Sequence, residues 1–366
     1  MTERSTVTRR DFLKLSAGSA AALGLALFDV PGFTRLLEAA VEEIPVIWLQ
    51  SATCTGCSVS VLNSLSPKIQ NVLVDQVVPG KHISLRYHAT VMAAAGDLAM
   101  KAMNDTAQKK GGYVLVVEGA IPLKENGAYC RIGEHNGQGI TALEHTVRLG
   151  RDAMAVLALG TCAAYGGIPA ASPNPTGNAS VTEVFAKNGI KTPVINLPGC
   201  PTHPDWFVGT VATVLIGGLG GVKVDDKGRP LAFYGSNIHD NCPNRGHFDA
   251  GRFAKHLSEP YCLYELGCKG PVTSADCPTR RWNSGTNWCI GSQAPCLGCV
   301  EPGFPDKVSP LYNKVSDVSL PGINATADTL GTALGVVTVA GLGAHFVGKV
   351  VTGKRNGNNN GSDKEE

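Results

Sequence analysis

Four short runs of apolar, partly β-branched residues mark the first half of the chain. They are Val46-Ile47-Trp48-Leu49, Tyr113-Val114-Leu115-Val116-Val117, Ala155-Val156-Leu157-Ala158-Leu159 and Val194-Ile195-Asn196-Leu197. Runs that do not alternate with polar residues suit strands covered on both faces. Between them lie stretches of helical length, at residues 93–109 and 140–149. The alternation predicts a doubly wound α/β domain on a parallel sheet with right-handed crossovers.

Each run ends close to chemistry. Cys54 and Cys57 follow the first, Glu118-Gly119 the second, Gly160-Thr161-Cys162 the third and Pro198-Gly199-Cys200 the fourth. Ligands of open α/β sheets gather outside the carboxyl ends of the strands, at a topological switch point. The four loops are therefore expected to converge and to bring Cys54, Cys57, Cys162 and Cys200 into one four-thiolate site. Spacing leaves its occupant open among a cubane iron–sulfur cluster, zinc, and disulfides or a redox dithiol.

Past a Gly-rich stretch at residues 216–221, which reads as a turn and not a phosphate loop, the periodicity fades. His239, Cys242, Cys262, Cys268, Cys277, Cys289, Cys296 and Cys299 then follow closely. A segment this dense in ligands and this poor in pattern is expected to be organised by metals.

The two ends read as addresses. Thr8-Arg9-Arg10-Asp11-Phe12-Leu13-Lys14 precedes an apolar stretch at residues 15–28 that is short for a bilayer span. Together they predict a twin-arginine export signal, processed between residues 28 and 43. Residues 330–351 hold no acidic group, and a helix of about 22 residues covers about 33 Å, enough for one membrane span. Lys349, Lys354 and Arg355 then put the C-terminus in the cytoplasm. The competing reading is a Gly-rich soluble helix, since Gly331, Gly335, Gly341, Gly343 and Gly348 dilute the apolar run. The expected organisation is a signal at 1–43, an α/β domain at 44–225, a ligand-rich domain at 226–312, a linker at 313–329, an anchor at 330–351 and a disordered tail at 352–366.

Charge changes the picture in one respect. Thirty-two Lys and Arg face 30 Asp and Glu, a net +2. With no long basic block, nucleic acid is excluded as a partner class. Twelve Cys in 366 residues are too sparse for a small disulfide scaffold.

Three segments carry a resemblance that spacing could not supply. Cys54-Thr55-Gly56-Cys57-Ser58-Val59-Ser60, Gly160-Thr161-Cys162-Ala163-Ala164-Tyr165-Gly166-Gly167 and Leu197-Pro198-Gly199-Cys200-Pro201, with His203-Pro204-Asp205-Trp206, are similar to the small subunit of nickel-iron hydrogenases. Cys262-Leu263-Tyr264-Glu265-Leu266-Gly267-Cys268-Lys269-Gly270-Pro271 and Cys296-Leu297-Gly298-Cys299-Val300-Glu301-Pro302 extend the likeness over residues 44–312.

The resemblance implies a flavodoxin-like domain, a largely irregular iron–sulfur domain, and a large partner subunit holding the NiFe(CN)2CO centre where hydrogen reacts. It implies a proximal 4Fe-4S cluster on Cys54, Cys57, Cys162 and Cys200, and a distal 4Fe-4S cluster on His239, Cys242, Cys262 and Cys268. The medial cluster of most relatives has three Cys and three irons, with Pro where a fourth ligand would stand. Here Cys289 occupies that place beside Cys277, Cys296 and Cys299, as in the nickel-iron-selenium branch, so a 4Fe-4S medial cluster is expected, with 3Fe-4S the alternative. Oxygen-tolerant members add a Cys between the CxxC pair, where this chain has Gly56, so an ordinary, oxygen-sensitive proximal site is expected.

Cys130 is left over and is expected as a buried spare thiol. Glu118 is expected either beside the proximal cluster, tuning it or moving protons, or as an N-cap or salt-bridge residue. His345, within the predicted span, is either a haem ligand or a residue facing a neighbouring helix. The implied activity is hydrogen oxidation, with electrons passing to a membrane cytochrome b and quinone, or to a cytochrome c, on the periplasmic side. Two rivals stand beside it: a non-hydrogenase iron–sulfur component of a respiratory complex, and an exported, disulfide-stabilised binding protein.

Overall fold

A computed structural model describes residues 42–65, 76–78, 81–314, 318–320, 323–325 and 327–357. The expected export signal lies almost wholly outside them, as does the chain beyond residue 357.

The chain forms two units, divided between Asn313 and Lys314. The first is a mixed α/β unit on a six-stranded sheet: β1 (Glu42–Gln50), β2 (Gln76–Val78), β3 (Lys81–His88), β4 (Val114–Glu118), β5 (Ala155–Leu159) and β6 (Val194–Leu197). The strands stand in the order β6-β5-β4-β1-β3-β2, parallel throughout except for β2 on the edge. Counting only the parallel strands, the order is 2-1-3-4-5, one of the two common doubly wound orders, with its switch point between β1 and β4.

All four apolar runs form strands, and β4 and β5 are buried along their whole length. Alternate residues serve opposite faces, as the two-residue period of a strand requires. Val46, Trp48, Val116, Leu157 and Leu197 pack toward α1 (Gly56–Leu62) and α6 (Pro204–Gly217), in a cluster that continues through Tyr234 and Leu263 to Val300. Ile47, Leu49, Leu115, Val117, Val156 and Ala158 face the other way, toward α2 (Gly96–Ala107), α3 (Ala142–Asp152), α4 (Gly160–Tyr165) and α5 (Val181–Lys187). The first cluster therefore joins the α/β half and the ligand-rich half in one continuous core.

Two helices on the second face start at capping boxes. Thr141 Oγ1 accepts from the Glu144 N–H at 3.1 Å while Glu144 accepts from the Thr141 N–H at 2.7 Å, and Ser180 with Glu183 repeats the arrangement. Each cap contributes about 1 kcal/mol to its helix.

Strand β3 adds to the four strands that the apolar runs predict. Its Lys-His-Ile-Ser-Leu-Arg-Tyr-His sequence mixes polar and apolar residues because only its inner neighbour β1 is a long parallel partner. The Gly-rich stretch closes α6 at Gly217 and continues as a 3-10 turn, Leu219–Gly221. Beyond it the regular structure consists of short pieces such as Leu231–Tyr234, Arg245–Asp249 and Cys277–Arg280, in keeping with the fading periodicity.

The second unit holds a hairpin, Val318–Leu320 with Ile323–Ala325, and one long helix, α7 (Ala327–Gly357). The expected linker at 313–329 thus contains strands. The helix also outruns the 330–351 span, entering the expected disordered tail by several residues. Residues 332–349 form an apolar stretch of α7 with none of it buried, long enough to cross a membrane.

Candidate functional site

The four loops at the carboxyl end of the sheet do meet. Cys57 and Cys162 influence one another electrostatically, and Cys162 senses both Cys200 and Cys54. Burial drives the Cys57 and Cys162 thiols up to about 12, and the neighbouring sulfurs add to the rise at Cys162. Cys54 and Cys200 are open to the surface, so this set has one exposed side. Gly160 makes the approach possible: at φ +86°, a Cβ there would stand 2.6 Å from Cys57 Sγ.

Cys57 lies in α1, whose N-cap residue Thr55 sits in the left-handed region and offers no side-chain cap. The missing acceptor comes from β4. Glu118 Oε1 accepts the Ser58 N–H at 3.1 Å, and Oε2 accepts from Trp48 Nε1 at 2.9 Å and from Ser58 Oγ. Ser58 Oγ also lies 3.1 Å from His88 Nε2. Of the roles expected for Glu118, the N-cap reading comes closest, with the cap delivered across 60 residues of sequence. It makes no salt bridge among the described residues. Ser58 and His88 belong to this buried network without standing out in the sequence, since a lone Ser or His carries no periodic signal.

A second set gathers His239, Cys242, Cys262 and Cys268 around one small cavity, also lined by Ile238, Leu263, Pro271 and Ile290. Burial raises the Cys262 thiol to about 11, and it senses Cys242 and Cys268. His239 Nε2 is buried without a hydrogen-bond partner. A buried ring nitrogen left unpaired is costly, and a metal would satisfy it.

The third set is Cys277, Cys289, Cys296 and Cys299. Cys277 senses Cys299 and Cys289, and Cys296 senses Cys299 and Cys277. Cys289, whose spacing alone does not mark it as a neighbour, thus stands with the other three.

The sets are also linked to each other in a fixed order. Cys299, with its thiol pushed up to about 12 by burial, accepts a hydrogen bond from the Cys200 N–H. Thr161, just before Cys162, accepts the Gly199 N–H at 2.9 Å and donates to the Cys299 carbonyl. Toward the other side, Cys296 senses Cys268, and the Lys269 N–H donates to the Cys296 carbonyl at 2.7 Å. No such contact joins the first set to the second among the described residues.

All twelve cysteines are free thiols. Among the described residues no three His, Cys, Asp or Glu side chains close in tightly enough to chelate a single ion. A zinc site would draw its thiolates to about 3.8 Å from one another, given Zn–S bonds of about 2.3 Å in a tetrahedron. Cys130 is half-buried, not buried as expected: it stands at the start of the Arg131–His135 strand of a surface hairpin, where only one side is covered. His345 lies in the exposed apolar stretch of α7.

Residues 234–312 match the family model for the C-terminal part of NiFe/NiFeSe hydrogenase small subunits. Residues 54–214 match NADH ubiquinone oxidoreductase, 20 Kd subunit, so the first half alone is shared with a respiratory-complex family. The chain is 45% identical over 319 residues to the periplasmic [NiFeSe] hydrogenase small subunit of Desulfomicrobium baculatum, covering 84% of this chain and 99% of that one. It is 39% identical over 360 residues to the quinone-reactive Ni/Fe-hydrogenase small chain of Wolinella succinogenes, covering 95% and 97%. The crystal structure of a reduced, active form of the Ni-Fe-Se hydrogenase from Desulfomicrobium baculatum superposes with a TM-score of 0.70 at 47% identity, over 74% of this chain and 99% of that one. With these relatives, and with a second half that matches the hydrogenase family itself, the chain belongs to the small subunits of NiFe/NiFeSe hydrogenases.

Proposed function

We propose that this protein passes electrons one at a time between the nickel-iron centre of its large partner subunit and an acceptor at the outer face of the membrane, through three 4Fe-4S clusters. Cys54, Cys57, Cys162 and Cys200 would hold the proximal cluster, Cys277, Cys289, Cys296 and Cys299 the medial, and His239, Cys242, Cys262 and Cys268 the distal. When bound, such clusters accept and release single electrons without moving atoms.

The observation that carries the reading is the linear order of the three thiol sets, joined by Cys200 to Cys299 and by Cys268 to Cys296. A relay needs neighbours in sequence and no short circuit between its ends. The match of residues 234–312 to the hydrogenase small-subunit family favours clusters over disulfides or zinc. The orphaned Nε2 of His239 suits a metal bond, and a neutral imidazole in place of a thiolate raises a cluster's potential, as an exit site requires. The exposure of Cys54 and Cys200 gives the proximal set a face toward a partner.

The α/β half is best described as flavodoxin-like, from its strand order. Export by the twin-arginine route, a periplasmic location and an anchor formed by α7 complete the proposal. Their support is the Arg9-Arg10 motif, the exposed apolar stretch at 332–349, and relatives whose names read periplasmic and quinone-reactive. A membrane cytochrome b feeding quinone is the acceptor that such an anchor favours.

The test is direct. The heterodimer, purified through a tag on this chain, is assayed for iron, acid-labile sulfide and hydrogen-dependent dye reduction. Three clusters per heterodimer with activity support the proposal; an active preparation without acid-labile sulfide overturns it. A three-iron signal in the electron paramagnetic resonance spectrum of the oxidised enzyme would overturn the four-iron medial assignment alone.

A further inference from the structure

Lys269 is 3% exposed, an unusual place for an ammonium group. Its Nζ donates to one neutral acceptor, the Asn313 carbonyl, and no carboxylate stands within ion-pair distance among the described residues. A buried cation with no counter-ion is strongly unfavourable. The groups that act on its charge are sulfurs, those of its chain neighbour Cys268 and of Cys296.

The backbone holds it there. Its N–H donates to the Cys296 carbonyl at 2.7 Å, and its own carbonyl accepts from Thr273 Oγ1 at 2.6 Å. The stem packs against Gly298, between Cys296 and Cys299, where a Cβ at φ +71° would come 3.4 Å from Lys269 Cβ. Lys269 is thus wedged between the set proposed to be medial and the set proposed to be distal, and adjoins a ligand of each.

We propose that the Lys269 ammonium is the resident counter-charge of the medial and distal clusters, stabilising the electron as it passes between them. This rests on the three-cluster reading above. The electron is supplied by hydrogen oxidation on the partner and leaves to the acceptor. Each reduction adds one negative charge to a cluster, no bond of Lys269 forms or breaks, and it keeps its proton throughout. Lys269 is a positioning residue, acting on the redox groups through its charge.

The experiment is a redox titration of the assembled heterodimer, followed by electron paramagnetic resonance, for the native protein and for Lys269→Arg, Lys269→Gln and Lys269→Met. Iron and sulfide analysis of the native protein checks the three-cluster reading separately, so its failure is distinguishable. The expected result is that Gln and Met lower both the medial and the distal potentials, leave the proximal potential in place, and are rescued by Arg. Met preserves the apolar stem, so failure of Met and Gln to take up the two clusters, with uptake preserved in Arg, also supports a required charge. Native medial and distal potentials in a fully loaded Gln or Met variant would overturn the proposal. So would equal behaviour of Arg and Met.

Discussion

The guanidinium of Arg229 donates to Glu301 at 2.9 Å, and Glu301 stands two residues beyond Cys299. Arg229 also bonds Asp225 at 2.8 Å, while Glu301 takes a second bond from Lys227 at 2.7 Å and one from the Ser274 N–H at 2.8 Å. This ion cluster ties the loop after α6 to the Cys296–Cys299 segment. Replacing Arg229 by Met leaves two nearly buried carboxylates short of a partner, at a cost of about 3–5 kcal/mol. Thermal unfolding of Arg229→Met should begin well below that of the native heterodimer, with iron released early from the medial set.

Glu118→Gln tests the remote cap of α1. An amide offers one acceptor oxygen to donors that now share two, so a buried N–H of Ser58 or Trp48 is left unsatisfied at about 1–3 kcal/mol. The expected outcome is a lower melting temperature with altered Trp48 fluorescence. An unchanged melting temperature would show that α1 does not depend on Glu118.

Gly160→Ala places a methyl group on Cys57 Sγ and strains a left-handed backbone position. Iron analysis should show the loss of one cluster's worth of metal, with spectroscopic signals of the other two retained. Full iron content in this variant would contradict the placement of Cys57 in the proximal set.

Burial lifts Cys57, Cys162 and Cys299 from the ordinary 9.0 to about 12 in the metal-free fold. A group whose folded pKa is raised contributes stability that is complete below its unfolded pKa and lost as pH rises through the folded one. The metal-free chain should therefore weaken progressively from pH 9 toward about 12 in pH-dependent denaturant melts. Metal binding by these thiols requires deprotonation, so anaerobic reconstitution with iron and sulfide should release protons, measurable in weakly buffered solution.

Removal of residues 326–366 tests α7 as an anchor. The native heterodimer should remain with membranes through an alkaline carbonate wash, and the truncated one should appear in the soluble fraction with its dye-reducing activity intact. A native protein that is soluble without detergent would end the anchor proposal.

Much of the sheet is legible in the chain because burial on both faces demands unbroken apolar runs, and β1, β4, β5 and β6 carry them. Strand β3 is not, since a strand near the sheet edge tolerates Lys, Ser and Arg. Capping boxes at Thr141 and Ser180 are readable in principle from their Ser/Thr-x-x-Glu spacing. Glu118, Arg229 and Lys269 look like surface residues in a sequence, for a charge shows nothing of its partner until the fold is complete.

The sequence by itself determined which residues could be strands, which could be ligands and which ends could be addresses, because these depend on local periodicity and side-chain chemistry. Only the tertiary structure decided that Cys299 meets the first set through the Cys200 N–H while Cys296 senses Cys268 of the second. It also decided that Lys269 is buried, with its N–H on the Cys296 carbonyl. The reason is geometric: contacts between segments far apart in the chain are set by strand order and core packing, and neither is written in the spacing of the residues that meet.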